Sequence, residues 1–299
     1  MKETIGEVIV NYEFYKESEA DRESSVWDNL LEIVQKNEDL EEILIQNTDA
    51  MLLNHLSPIR QNVLRWYEFE KGKSVLEIGA GCGAITGLLC ENVDRVVVIE
   101  QSKKQSMINA HRNRTYNNLE IYIGNFGDIE LEEKFDYITL IGVLANAGNY
   151  FNSEDPFKDM LKKVKSMLKP DGKLFIAIEN KYGMKYWAGA AEENTEAVFA
   201  GIYGYIEDNV KTFSKGALKK LLEKAGYKNN DFYYPVPDYR MPMEIYSDGH
   251  LPKPGDIKNA SPSYEKDRYE LFQEEMAFDS VCEDGLFGEF ANSFIVVSE

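Results

Sequence analysis

The sequence predicts an α/β fold on a mainly parallel sheet, and three observations carry that prediction. A strand-length run, Ser74-Val75-Leu76-Glu77-Ile78, meets glycines at Gly79, Gly81 and Gly83 and enters a segment with apolar residues at helical spacing. From Lys73 onward, apolar runs alternate with helical periods, the βαβα pattern of a parallel sheet. Turn sequences such as Lys169-Pro170-Asp171-Gly172 stop one element and start the next. Strand, glycine turn and helix together make a nucleotide pocket. Glycine lets the backbone turn sharply and approach a ligand, and the helix start presents unpaired N–H groups.

Size and composition set limits on function. At 299 residues and 43% hydrophobic content, the chain has material for one large core, or one domain with a smaller cap. No apolar run reaches membrane-span length, and Met1-Lys2-Glu3-Thr4 lacks the basic and apolar regions of a signal peptide. Cys82, Cys90 and Cys282 have no metal-ligand spacing and are odd in number, so a reduced, cytoplasmic setting without a metal is expected. The net charge of −19 repels phosphate backbones and anionic membranes. The expected partner is therefore a small-molecule substrate, not nucleic acid or membrane; the oligomeric state is unknown.

Residues 1–70 read as an amino-terminal helical cap. Trp27, Leu30, Leu31 and Val34 share one helical face, and Leu40, Ile43 and Leu44 begin another. Ser57-Pro58 is a helix start, with Ile59, Val63, Trp66 and Tyr67 following before an end near Lys71-Gly72. His55 and Arg60 flank that start; the functional reading has them facing the cofactor cleft, and the plain and preferred one is a solvated cap and a surface charge.

At the glycine turn, Gly79, Gly81 and Ala84 satisfy the dinucleotide fingerprint, a weak pattern by itself. Glu77 argues against a diphosphate, because a carboxylate two residues before the first glycine favours a cationic ligand. Arg95 to Glu100 is a second buried strand ending in an acid, about twenty residues on, where such folds bind ribose hydroxyls with a carboxylate. Ser102 to Gln105 reads as a capping box. Leu119 to Ile123 is the third strand, followed by Gly124-Asn125-Phe126-Gly127-Asp128, and Phe135 to Ile141 is the fourth.

Asp155-Pro156 caps a helix with Phe157, Leu161, Val164 and Leu168 on its inner face, and the fifth strand runs from Lys173 to Glu179. Residues 180–213 have no clear period but many Gly, Tyr, Trp and Asn, which suits a substrate-covering segment. Ser214 caps the next helix, Gly226 ends it, and Asp231 to Tyr234 supplies the sixth strand. A second excursion, 236–289, holds His250 and a polar helix around Tyr264 to Asp279 before the last strand at Phe290 to Val297.

The E-x-G-x-G-x-G form at Glu77 to Gly83 resembles the first motif of class I methyltransferases that use S-adenosylmethionine. The resemblance covers roughly 73–232 and the last strand. It implies a Rossmann-like fold with a seven-stranded, mainly parallel sheet, an antiparallel last strand, and helical and irregular substrate caps. The methyltransferase domain would be 71–299, with insertions at 180–213 and 236–289. It places Glu77, Gly79, Ala80, Gly81, Glu100, Gln101, Asn125, Phe126 and Ile141 on S-adenosyl-L-methionine, Glu100 on the ribose and Asn125 with Phe126 on the adenine. Asp128 is the alternative adenine acceptor. The Asn/Asp-Pro-Pro-aromatic signature of amino-methylating nucleic-acid enzymes is absent after the fourth strand.

More narrowly, Ile178 to Gly183, Lys185 to Gly189 and Phe290 to Phe294 resemble a bacterial group associated with glycosyltransferases and surface-polysaccharide synthesis. This chain departs from the group at Asn194, where it has histidine, and at Ala145-Asn146, where Glu-Tyr is common. The expected activity is methylation of a hydroxyl or amine on a small molecule, a sugar or glycan precursor being one candidate. Two alternatives stay open: a peptide or carrier-protein-bound acceptor, and an inactive cofactor-binding interaction protein. A hydroxyl acceptor benefits from a base. The candidates are His250, with Asp248 to orient its ring, and then Glu179 at the end of the fifth strand; His111 reads as a surface residue.

Overall fold

A computed structural model describes the chain apart from residues 18–24, 37–39, 48, 193–195, 206–208 and 259–267. It divides into two compact units: Met1–Ile141 with Ser166–Lys173, and Gly142–Lys165 with Leu174–Glu299. The amino-terminal segment is built into the same unit as the glycine turn.

In the first unit, strands β1 (Lys2–Ile5), β2 (Val8–Asn11), β3 (Ser74–Ile78), β4 (Arg95–Glu100), β5 (Leu119–Ile123) and β6 (Phe135–Ile141) lie in the order β1-β2-β5-β4-β3-β6. β3 is central, parallel to both β4 and β6, and buried along its whole length. Its Val75 and Leu76 lie beside Val96, Val97 and Ile138, all with no exposed surface. Helices α1 (Ser25–Lys36), α2 (Leu40–Gln46), α3 (Ala50–Leu56), α4 (Asn62–Arg65), α5 (Thr86–Asn92) and α6 (Lys103–Arg112) complete the unit.

The expected apolar face of α1 forms. Leu30 and Val34 pack with Leu52 and Leu56 of α3, Ile108 of α6 and Cys82 of the glycine turn. Arg112 then ties α3 to α6 by donating to the carbonyls of His55 and Leu56, at 2.7 and 2.9 Å. The turn is thus seated on helices from both sides of it in sequence.

The second unit holds α7 (Ala147–Tyr150), most of α8 (Pro156–Met167), and β7 (Leu168–Glu179) from Leu174 onward. It continues through α9 (Met184–Trp187), α10 (Ala200–Tyr203), α11 (Lys215–Ala225), β8 (Asn230–Val236), β9 (Glu244–Ser247), α12 (Glu274–Glu283), α13 (Phe287–Phe290) and β10 (Ser293–Ser298). Its strands run β7-β10-β8-β9, every pairing antiparallel, so the last strand is antiparallel as expected. Ser214 caps α11 by accepting from the Ala217 N–H, and Gly226 ends it in the left-handed region.

Several expectations are corrected. Ten strands are described, not seven. Residues 2–11 form a hairpin and not helix, because Ile5, Val8 and Val10 bury one face at strand spacing and β2 pairs in parallel with β5. The helix expected from Pro58 to about Lys71 is a 3-10 turn, Pro58–Gln61, followed by α4. It stops there because Tyr67 and Phe69 turn in against Tyr137, with ring centroids 6.1 and 5.2 Å away. Lys169 to Gly172 is part of extended β7, held by the ion pair of Lys169 with Asp136 at 2.6 Å. Within 180–213, α9 and α10 are helical where no period was read. Asn194 and the start of the helix expected around Tyr264 lie outside the described residues; α12 covers its later part.

Candidate cofactor site

The glycine turn leaves β3 with three successive departures into positive φ, +69° at Gly79, +54° at Gly81 and +73° at Gly83. Side chains with a Cβ rarely adopt that region. Gly79 anchors the turn by donating to the Ile99 carbonyl at 2.8 Å. At Gly81 a Cβ would meet nothing nearer than Gln105 Oε1 at 3.9 Å, so conformation and not crowding demands glycine there. Its face is open to a ligand. At Gly83 a Cβ would fall 2.3 Å from the Asn109 side-chain oxygen, so this glycine is fixed by packing against α6.

Glu100 fastens the turn to the next strand. One carboxylate oxygen accepts from the Gly81 N–H at 2.8 Å, the other from the Ser102 N–H at 2.9 Å. A carboxylate with two acceptor oxygens at this place has the chemistry that suits a pair of ribose hydroxyls. Ser102 in turn caps α6 by accepting from the Gln105 N–H, as its sequence predicts.

Glu77 is buried, 3% exposed, and accepts from the Thr86 hydroxyl at 2.6 Å. Burial pushes its carboxyl up to about 7; Glu100 adds repulsion and the Thr86 hydrogen bond opposes the rise. A cation brought beside such a group is bound more strongly than at a solvated acid, since little water screens it.

Seven further positions complete the expected set. Gly79, Ala80, Gly81, Gln101, Asn125 and Ile141 are half-buried, whereas Phe126 is enclosed at 1% exposure. The register places Ile78 beside Ile99 and Leu140, and Glu100 beside Ile123. The set therefore gathers at the carboxyl ends of β3, β4, β5 and β6, where open α/β sheets bind ligands. Asn125 Oδ1 accepts from the Gly127 N–H at 2.7 Å, keeping one lone pair for an amine. Asp128 points to the surface, paired with Lys16 at 2.8 Å.

Sequence reading missed three contributors. Phe14 covers this corner, its carbonyl 2.9 Å from where a Cβ on Gly124 would sit. Thr86 and Asn109, both with no exposed surface, stand behind Glu77. The signal for Thr86 was its place at the start of α5, nine residues after Glu77. A cavity of about 290 Å³ lined by Ile9, Asp94, Arg95, Asn118 and Glu120 lies at the opposite, amino-terminal ends of β4 and β5.

The two expected bases belong to the second unit. Glu179 is 7% exposed and accepts from Arg240 at 3.0 Å. Burial works to raise its carboxyl, but Arg240 and Lys185 prevail and hold it below the ordinary value. Lys185 itself reaches Asp238 at 3.4 Å. The expected pairing of His250 with Asp248 is corrected: Asp248 is held by Lys215 and the Tyr234 hydroxyl. His250 is exposed in a tight turn closed on Ser247, its ring stacked over Tyr246 at 6.5 Å. The adjacent Asp248 is drawn away because a cation and a phenol offer it stronger bonds. His111 lies at the surface, half-buried, and burial with Arg114 lowers its imidazole. Among the described residues, no three His, Cys, Asp or Glu side chains group to hold a metal ion. No described helix is long and apolar enough to cross a membrane.

Comparisons with known proteins agree with this geometry. A family model described as a methyltransferase domain matches residues 52–231. Ribosomal RNA small subunit methyltransferase A of Mycoplasma capricolum is 35% identical over 124 residues, 38% of this chain and 46% of that protein. An uncharacterized methyltransferase of Staphylococcus carnosus is 34% identical over 142 residues, 45% of this chain and 64% of the other. The chain thus spans about half the length of the first relative and less than two thirds of the second. Among solved structures, phosphoethanolamine N-methyltransferase 1 of Haemonchus contortus, bound to phosphoethanolamine and S-adenosylhomocysteine, superposes with a TM-score of 0.52 at 14% identity. The match covers 92% of this chain and 48% of that one, and it supports a Rossmann-like fold.

Proposed function

Because this chain belongs to the methyltransferase-domain family, whose cofactor is S-adenosylmethionine, we propose that it methylates a hydroxyl or amine of a small molecule. The observation that carries the reading is the gathering of Glu77, the open face of Gly81 and the two-oxygen acceptor of Glu100 at adjoining strand ends. These residues fit the cofactor's chemistry. Glu77 offers negative charge to its cationic amino-acid part, and Glu100 offers acceptors to two ribose hydroxyls. Gly81 lets the backbone approach, and the Asn125 oxygen accepts from the adenine amine. When bound, the cofactor supplies an electrophilic sulfonium methyl group.

For the acceptor, support comes from charge and from the second unit. A surface carrying −19 opposes a polyanionic substrate. The three stretches that resemble the polysaccharide-associated group are joined by hydrogen bonds. Asn180 donates to the Glu289 and Ala291 carbonyls, both at 2.8 Å, and Asn292 accepts from the Lys185 N–H at 2.9 Å. Glu179 is already committed to Arg240, and His250 is exposed while its neighbour Asp248 is held by Lys215. Rate enhancement by positioning is then favoured over a strong general base. An acceptor amine needs no base when it attacks as the free amine.

Two measurements test the reading. Titration calorimetry should show binding of S-adenosylhomocysteine and none of NAD; binding of NAD alone would remove the cofactor assignment. A mass-spectrometric screen of small molecules should find a product heavier by one methyl group. Turnover that survives both His250→Ala and Glu179→Gln would establish that neither acts as a base.

A further inference from the structure

What stands behind Glu77 is a line of buried side chains whose hydrogen bonds have one possible direction. The backbone carbonyl of Asn109 can only accept, and the Asn113 amide nitrogen donates to it at 3.2 Å. That nitrogen also donates to the Asn109 side-chain oxygen at 2.8 Å. With its oxygen so assigned, Asn109 presents its amide nitrogen to the Thr86 hydroxyl oxygen, 3.0 Å away. The Thr86 proton is left for Glu77 Oε2, at 2.6 Å. A carbonyl at one end therefore dictates an acceptor at the other.

The line is built in, since glycines make room for it. A Cβ at Gly83 would lie 2.3 Å from Asn109 Oδ1, and one at Gly87 would lie 2.8 Å from Asn113 Oδ1. Thr86 and Asn109 have no exposed surface and Asn113 only 4%, so water does not compete for these bonds.

We propose that Asn113, Asn109 and Thr86 are positioning residues, a one-way relay that holds Glu77 as an ionised acceptor and so sets how tightly the site binds its cationic cofactor. The inference rests on the cofactor reading above. The titratable groups facing Glu77 are Glu100 on β4 and the Cys90 thiol on α5. Burial and Glu100 oppose the charge on Glu77, and the Thr86 hydrogen bond opposes them. Removing that bond raises the pH at which Glu77 ionises, so the loss of binding is greatest near neutrality and fades in alkali.

The test is calorimetric titration of the whole chain with S-adenosylhomocysteine between about pH 6 and about pH 9, spanning the Glu77 transition. Thr86→Val keeps the shape and deletes the hydroxyl. It should weaken binding by roughly tenfold or more near neutrality, as for a lost hydrogen bond to a charged group. Thr86→Ser should recover the affinity. Asn109→Ala frees the Thr86 hydroxyl to turn away and should give a smaller loss with the same pH trend; it serves where Thr86→Val does not fold. Equal binding by Thr86→Val and the unaltered chain at every pH overturns the relay, and so does a loss that is uniform across pH. Failure of the unaltered chain to bind is a different result, which removes the cofactor reading and the relay with it.

Discussion

Glu77 gives the residue scale its sharpest expectation, because its burial serves binding and opposes folding. Its carboxyl is raised from 4.5 to about 7, so the folded state holds its proton more firmly than the unfolded chain does. Stability without cofactor should therefore be fully present below about pH 4.5 and decline as pH rises to about 7. Glu77→Gln removes that decline. The variant should melt higher than the parent at pH 8 in differential scanning calorimetry, yet bind S-adenosylhomocysteine more weakly; a lower melting temperature would contradict the account. Glu100→Ala loses a charged acceptor on the ligand side, expected to weaken binding by about 1.5–3 kcal/mol. It also frees the Gly81 and Ser102 N–H groups. Gly81→Arg fills the open face and forces a Cβ into positive φ, so calorimetry should detect no binding. The glycines and both acids were readable because each sits at a fixed spacing from one strand. The relay was not, because Asn109 is 32 positions from Glu77 and meets it only through α6 packing on the turn.

At the scale of elements, Asp136 fastens β3, β6 and the beginning of β7. Its Oδ2 accepts from the Ser74 N–H and hydroxyl, at 2.9 and 3.0 Å, and from Lys169 at 2.6 Å. Burial would raise its carboxyl, but Lys169 and Ser74 hold it down to about 2. That contribution to stability is present above about pH 3.8 and is lost as pH falls toward 2. Asp136→Ala should destabilise the fold by about 1–3 kcal/mol, the cost of leaving the buried Ser74 donors without an acceptor, and flatten the acid limb of denaturation. Urea melts at neutral and low pH would show both effects, and a parent-like acid limb would count against them. Helix ends were legible wherever a cap was local. Ser57, Ser102 and Ser214 all accept from the N–H two or three positions on. The opening hairpin was not, since two strands of four residues give too short a pattern and depend on β5 for a partner. The extended start of β7 was hidden too, because its Lys-Pro-Asp-Gly sequence favours a turn until Lys169 finds Asp136.

Across the whole molecule the dominant quantity is charge. With 52 acidic against 33 basic side chains, the compact state repels itself. Raising salt from about 10 mM to about 150 mM shortens the screening length from about 30 Å to about 8 Å, so the melting temperature should rise. A fall would mean that specific ion pairs outweigh the net repulsion. The same charge implies that ribosomal RNA fragments are not retained with the protein on a filter at about 150 mM salt. Retention there would reopen a nucleic-acid acceptor, as the likeness to an RNA methyltransferase allows.

The placement of β2 and β10 has a consequence for anyone who shortens this chain. The stretch matched to the family, 52–231, ends before β10 and begins after β2. Cutting at those limits removes the parallel neighbour of β5, the antiparallel partner of β7 and all of β8 beyond Asp231. Both cuts expose raw sheet edges, and unprotected edges recruit other chains. A fragment trimmed to the family limits should therefore precipitate where the full chain stays dispersed. The stretch matched to the family leaves out strands on which this sheet depends.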